Sequence, residues 1–207
     1  MNGCDIRMKI LVTGFEPFGN ETINPSWEAV RSLPDLRGAE LCRLQLPVAF
    51  DGCMAPVEES IRQWHPDAIL CVGQAGGRFG LTLERTAINL NDARIPDNTG
   101  YQPVDQPIRP DGPAAYFATL PVKLMAESIR NAGIPATVSF SAGTFVCNRL
   151  MYGVLDLCAR SYPGIRAGFM HVPYQHEQVL LKQNTPSLSK EDILRGVTAA
   201  LEAICRQ

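Results

Sequence analysis

The chain has 207 residues, enough for one well-buried core and too few for two comfortable domains. Hydrophobic residues make up 45% and charged residues 19%, a balance that excludes a disordered chain. A net charge of −2, with Lys and Arg scattered, gives no electrostatic footprint for nucleic acid or an anionic membrane surface. Apolar runs such as Ala68 to Gly73 are strand-length, far short of the roughly 18 to 20 residues of a membrane span.

The first residues carry no apolar leader core. Met8 directly precedes the apolar run Ile10-Leu11-Val12, so residues 1–7 are expected to be an extension outside the fold and residues 8–207 a single domain. Seven cysteines, widely spaced and without a CxxC pair, argue against a zinc site or a disulfide framework. Reduced thiols in a cytoplasmic setting are the expectation.

Lys9 to Thr13 reads as a buried strand closed by Gly14. After a loop, Asn24 can cap a helix with Pro25 at its first position. Glu40 to Leu46 reads as a second strand, and Asp51 to Trp64 as a helix with Met54, Val57 and Ile61 on one face. Ala68 to Val72 is a further core strand, followed by the glycine-rich turn Gly73 to Gly77. Leu81 to Leu90 alternates enough for a strand or extended edge segment. From Asn91 to Pro113 the chain is rich in Asp, Asn, Pro and Gly, and long irregular loops of this kind tend to be functional. Pro121 opens a helix that ends at Asn131 to Gly133. Thr137 to Phe140 is a strand, a helix starts near Phe145, and Arg166 to Met170 is the last core strand. Ser189 with Asp192 gives a capping-box pattern before a C-terminal helix. This order predicts an α/β fold, a three-layer α/β/α sandwich with a mostly parallel central sheet and chemistry at the carboxyl ends of its strands.

Cys147 falls in the first turn of a helix that follows a strand, where the positive helix end favours a thiolate. Cys158 lies eleven residues on, roughly 16 Å further along, where the helix end works against ionisation. Cys147 is therefore the candidate nucleophile. Of three histidines, His65 reads as a surface residue at a helix end and His176 as solvated, whereas His171 is presented at the edge of a core strand as a candidate base. Glu84, Asp92, Asp97 and Asp111 are rival orienting carboxylates, and spacing does not choose among them. The glycine turn lacks the features of a P-loop or a GxGxxG fingerprint, so a nucleotide-binding reading has weak support. Phe15 and Phe18, flanking Pro17 between two glycines, suggest an apolar slot for a flat ring.

Four separated segments carry a resemblance: Met8 to Gly19 with Asn24-Pro25-Ser26-Trp27, Gly76-Gly77-Arg78 with Glu84 to Asn89, Ser141 to Asn148, and His171-Val172-Pro173-Tyr174. In order and spacing they resemble the pyroglutamyl peptidase I (pyrrolidone-carboxylate peptidase) family of cysteine peptidases. The resemblance implies a Cys147, His171 and Glu84 triad that cleaves an N-terminal pyroglutamyl residue from peptides through a thioester on Cys147. It further implies that Phe15, Phe18 and Phe145, with Val146 beside them, hold the lactam ring. Asn24 and Gln74 would organise the pocket, and Arg94 would lie near the oxyanion or brace the triad. It implies a homotetramer without metal or organic cofactor. Asn20 and the pair Gln175-His176 depart from the family pattern, away from the triad positions.

Overall fold

The computed structural model describes residues 7–206, so residues 1–6 of the expected extension lie outside the described residues. The first strand, β1 (Met8–Phe15), runs into the loop that leads to α1 (Pro25–Arg31), whose first turn is closed by the Asn24 side chain accepting from Ser26 N–H. β2 (Ala39–Leu46), α2 (Ala55–Trp64) and β3 (Ala68–Gln74) follow. All seven residues of β3 are buried, the mark of a strand covered on both faces, which explains its unbroken apolar run.

β4 (Leu81–Glu84) and β5 (Thr86–Ile88) come next, then β6 (Ala115–Phe117), α3 (Val122–Asn131), β7 (Ala136–Ser139) and α4 (Val146–Ser161). β8 (Arg166–Val172), the short β9 (Tyr174–Gln175) and β10 (Ser187–Leu188), and α5 (Lys190–Cys205) complete the chain. The main sheet has six strands in the order β2-β1-β3-β8-β4-β7. The first four run parallel, β4 is antiparallel to β8, and β7 is parallel to β4. α1, α3 and α5 pack against one another on one face, while α2 and α4 cover the other. This is the expected three-layer sandwich with a mostly parallel sheet.

Several boundaries differ from expectation. Leu81 to Leu90 is not one edge segment: β4 is fully buried between β8 and β7, and β5 leaves the sheet to pair with β6. α2 starts at Ala55, because Asp51 to Met54 form turns before Pro56 takes a first-turn position that needs no N–H donor. The capping box before α5 is half formed: Ser189 Oγ accepts from Asp192 N–H at 3.0 Å, but the Asp192 carboxylate turns to Arg195 at 2.9 Å.

The long loop after β5 is ordered by its own polar side chains. Asp97 accepts from Phe50 N–H, Thr99 N–H and Tyr101 N–H, and Thr144 Oγ donates to Asp92 O at 2.7 Å, just ahead of α4. Asn148, with no solvent exposure, accepts from Ile88 N–H and donates to Ile88 O and Leu90 O, tying the start of α4 to the end of β5. Asn148→Ala leaves one donor and two acceptors without partners, and is expected to lower unfolding free energy by about 2–4 kcal/mol in chemical denaturation.

Candidate active site

Strand register assembles the site. Gly73 on β3 lies opposite His171 on β8, and Glu84 on β4 lies opposite Phe169, two residues before that histidine. Paired residues, and residues two apart on one strand, share a face, so these four positions all point to the side covered by α4. A Cβ at Gly73 would lie 2.9 Å from Cys147 Sγ and 2.7 Å from the Phe169 ring. The sulfur therefore occupies the space that any other residue at 73 would fill. Gly76 is explained in the same way, since a Cβ there would sit 2.3 Å from the Tyr174 ring. Close packing thus accounts for glycines that sequence alone leaves open to a nucleotide-binding reading.

Glu84 has no side-chain exposure, and a single oxygen, Oε1, meets both His171 Nδ1 at 2.8 Å and Arg78 Nη1 at 2.5 Å. Oε2 has no hydrogen-bond partner among the described residues. Burial alone would raise the Glu84 carboxyl, but the hydrogen bond and charge of His171, helped by Arg78, hold it below the ordinary glutamate range. Burial lowers the His171 pKa, against an opposing pull from Glu84. The resting pair is an ionised carboxylate and a neutral imidazole. Because the carboxylate only accepts, Nδ1–H donates to it, and Nε2 keeps a lone pair suited to a base. Geometry selects Glu84 from its rivals: Asp97 is occupied by backbone N–H groups, Asp111 is exposed, and Asp92 borders the cleft without reaching the imidazole. His65 and His176 are exposed, the latter bonded to Ser187.

Cys147 is the second residue of α4, partly open to the cleft. The surroundings of Cys147 work against the thiolate that its place at a helix start favours. Burial, and next the Glu84 charge, push the thiol from an ordinary 9.0 to about 12. Cys158, the supposed unfavourable comparison, rises only to about 11. Desolvation and the Glu84 charge act against the thiolate, while the helix start favours it by at most about 2 kcal/mol. No hydrogen bond joins Cys147 to His171 among the described residues. The six described cysteines are all free thiols, and Cys4 lies outside the described residues.

Beside the sulfur is a narrow slot of about 30 Å³ lined by Phe15, Phe18, Asn24, Gln74, Phe145 and Val146, together with Val48, which the sequence did not single out. Phe18 and Phe145 stand 6.3 Å apart between ring centroids with their planes tilted by 39°, and Phe50 braces Phe145 edge-on at 5.3 Å. Asn24 borders the slot, but both ends of its amide are engaged: Oδ1 accepts from Ser26 and Nδ2 donates to Glu16 O at 2.9 Å. The slot opens into a wider cleft of about 530 Å³ that Cys147, His171, Arg78 and Arg94 all border. Arg78 was visible in the sequence six residues before Glu84, yet nothing local assigned it a partner.

An α/β sandwich that brings a thiol and an imidazole to one cleft, with a buried carboxylate behind the imidazole, has the parts of a cysteine hydrolase. The family model described as pyroglutamyl peptidase matches residues 8–207. The pyrrolidone-carboxylate peptidase of Streptococcus pneumoniae (strain 70585) is 57% identical over 198 residues, covering 95% of this chain and 92% of its own length. That of Lactobacillus johnsonii is 54% identical over the same shares of each chain. Among solved structures, pyroglutamyl peptidase I of Bacillus amyloliquefaciens superposes with a TM-score of 0.94 at 49% identity, covering 97% of this chain and 98% of that one. Pyrrolidone carboxyl peptidase of Thermococcus litoralis gives a TM-score of 0.89 at 38% identity, covering 96% and 94%. The chain belongs to the pyroglutamyl peptidase family, and it is a peptidase of that family.

The buried thiol sets a measurable pH dependence. Inactivation of the free enzyme by iodoacetamide should keep accelerating as pH rises through 9, because the attacking thiolate is still scarce there. A plateau between pH 5 and 7 would mean that a preformed thiolate exists. Stability follows the same groups. The lowered His171 means that the unfolded chain binds more protons near pH 6, so melting temperature should fall as pH drops through about 6.5, and further as Glu84 protonates below its ordinary range.

Proposed function

We propose that this chain hydrolyses the bond after an N-terminal pyroglutamyl residue of peptides, with Cys147 as nucleophile, His171 as proton carrier and Glu84 as the carboxylate that orients it. The observation that carries this reading is the 2.8 Å contact between His171 Nδ1 and Glu84 Oε1, beside a cysteine that borders the same cleft.

The thiol starts neutral. As the sulfur attacks the pyroglutamyl carbonyl carbon, its proton passes to His171 Nε2 and the imidazolium gains the Glu84 charge as partner. The resulting oxyanion has donors near it: Phe145 caps α4 without a side-chain hydrogen bond, leaving the first N–H groups of that helix free, and Arg94 borders the cleft. Collapse expels the peptide amine, which takes the proton from Nε2. Water then attacks the thioester, His171 again accepting the proton, and pyroglutamate leaves as the thiol reforms.

Pyroglutamate is flat and uncharged, so an apolar slot suits it better than a charged one. A flat ring between two aromatic faces needs about 7 Å, two carbon contacts of about 3.5 Å each. The Phe18 and Phe145 rings stand 6.3 Å apart, and Phe18, a half-buried loop residue, is placed to give way by less than an ångström. Phe15, Phe145 and Val146 form the fixed walls, and Asn24 holds the wall in shape through its cap.

Catalysis by residues 8–207 alone, without metal or organic cofactor, and a cytoplasmic homotetramer complete the proposal. No helix among the described residues is long and apolar enough to cross a membrane. Phe79, Phe117, Phe140, Leu180 and Leu181 are exposed apolar side chains of the kind that assembly covers. Light scattering on the eluted protein should return four times the monomer mass, and a monomer would refute the assembly.

The enzyme should release the chromophore from a pyroglutamyl anilide without added metal, and should leave prolyl and free glutamyl anilides intact. Cys147→Ser is expected to lower kcat by at least about a thousandfold while melting unchanged. Near wild-type turnover in that variant would remove Cys147 from the mechanism.

A further inference from the structure

The two polar side chains with amide groups at the slot are Asn24 and Gln74, and Asn24 is engaged at both ends, Oδ1 by the α1 cap and Nδ2 by Glu16 O. Gln74 is the last residue of β3, 9% exposed, and borders both the slot and the cleft. An amide carries a donor end and an acceptor end, and which of them faces the ring decides what the slot recognises.

The orientation follows from a chain of polarity that begins on the backbone. Gln175 N–H donates to Gln178 Oε1 at 3.0 Å. A backbone N–H only donates, so the oxygen of Gln178 is fixed at that end. Its NH2 group then faces three acceptors: Glu21 Oε2 at 3.0 Å, Gln74 Oε1 at 3.2 Å and Ile23 O at 3.5 Å. Glu21 is itself paired with Lys182, which keeps it an acceptor. The end of the Gln74 amide that meets Gln178 must be its oxygen. Its NH2 group has no partner among the described residues and remains as a donor at the slot.

We infer that Gln178 is a positioning residue that fixes the polarity of Gln74, so that Gln74 donates to the ring carbonyl of the pyroglutamyl group. This deepens the proposed function and rests on it. A lactam offers a C=O acceptor at this point. A prolyl ring has no such acceptor and carries a cationic amine that would meet a donor, so the same arrangement excludes N-terminal proline.

A double-mutant cycle on the full-length enzyme tests the assignment with pyroglutamyl anilide. Gln74→Met removes the donor and is expected to raise KM by about 10- to 100-fold, with a much smaller change in kcat. Gln178→Glu replaces the NH2 group with a second acceptor. Gln74 then turns its NH2 toward residue 178 and shows oxygen to the lactam carbonyl, raising KM by a similar factor. In the Gln74→Met background the Gln178→Glu change should have almost no effect on KM, because the group through which it acts is gone. A merely structural Gln178 would give the same loss in both backgrounds, and that result overturns the inference, as does an unaltered KM in either single variant. Gln178→Met supplies the same cycle without an added charge should Gln178→Glu fail to fold, and melting temperature with the iodoacetamide rate at Cys147 reports fold integrity. A wild-type enzyme inactive on the anilide overturns the peptidase reading and this inference together, a result distinct from an additive cycle in an active enzyme.

Discussion

Glu84 carries its charge into a part of the sheet where its side chain has no contact with water. An isolated carboxylate there would cost several kcal/mol, and the fold accepts it because Arg78 and His171 both reach one of its oxygens. That requirement shapes what surrounds it. β4 must run against β8 so that Glu84 stands across from Phe169, on the face and at the level of the imidazole. The turn after β3 must bring Arg78 back over the carboxylate. The imidazole, held by the same oxygen, has its tautomer chosen for it. One buried charge thus links the reversal of a strand, the course of a turn and the direction in which a proton can travel.

The sulfur is placed by different means. No charged group draws Cys147 toward the imidazole; absent side chains make room for it. Gly73 lets the sulfur rest on β3, and Phe169 packs against the same gap. The cleft is polar beside Cys147 and His171 and apolar in the slot, with Gln74 bordering both. Burial serves both halves. It keeps the imidazole neutral and able to accept a proton, and it keeps the thiol protonated until the attack itself draws the proton away.

Elements that repeat one signal over several residues were legible in the sequence. The apolar runs of β1, β3 and β8, the Asn24-Pro25 helix start, and the positions of Cys147 and His171 at the edges of those elements all follow from local pattern. What was not legible depends on distant partners. Four residues of β4 look like an edge segment, because the strands that flank them come from 55 and 85 residues away, in the pairs Glu84 with Ser139 and with Phe169. The choice of Glu84 over Asp92, Asp97 and Asp111 is made by register, which spacing does not carry. β6 is three residues whose partner lies beyond a long loop. For the thiol, a helix-end argument counts the local field, and the opposing desolvation depends on the surrounding core. Gln178, 104 residues from Gln74, sent no local signal at all.

A nucleophile kept in its protonated form has a consequence outside the catalytic cycle. Peroxides attack thiolates, and the first oxidation product, a sulfenic acid, forms in proportion to how much thiolate is present and how open it is. With burial pushing Cys147 to about 12, that fraction in the idle enzyme is small. The packing over β3 that keeps the sulfur protonated therefore also shields it from oxidants between turnovers.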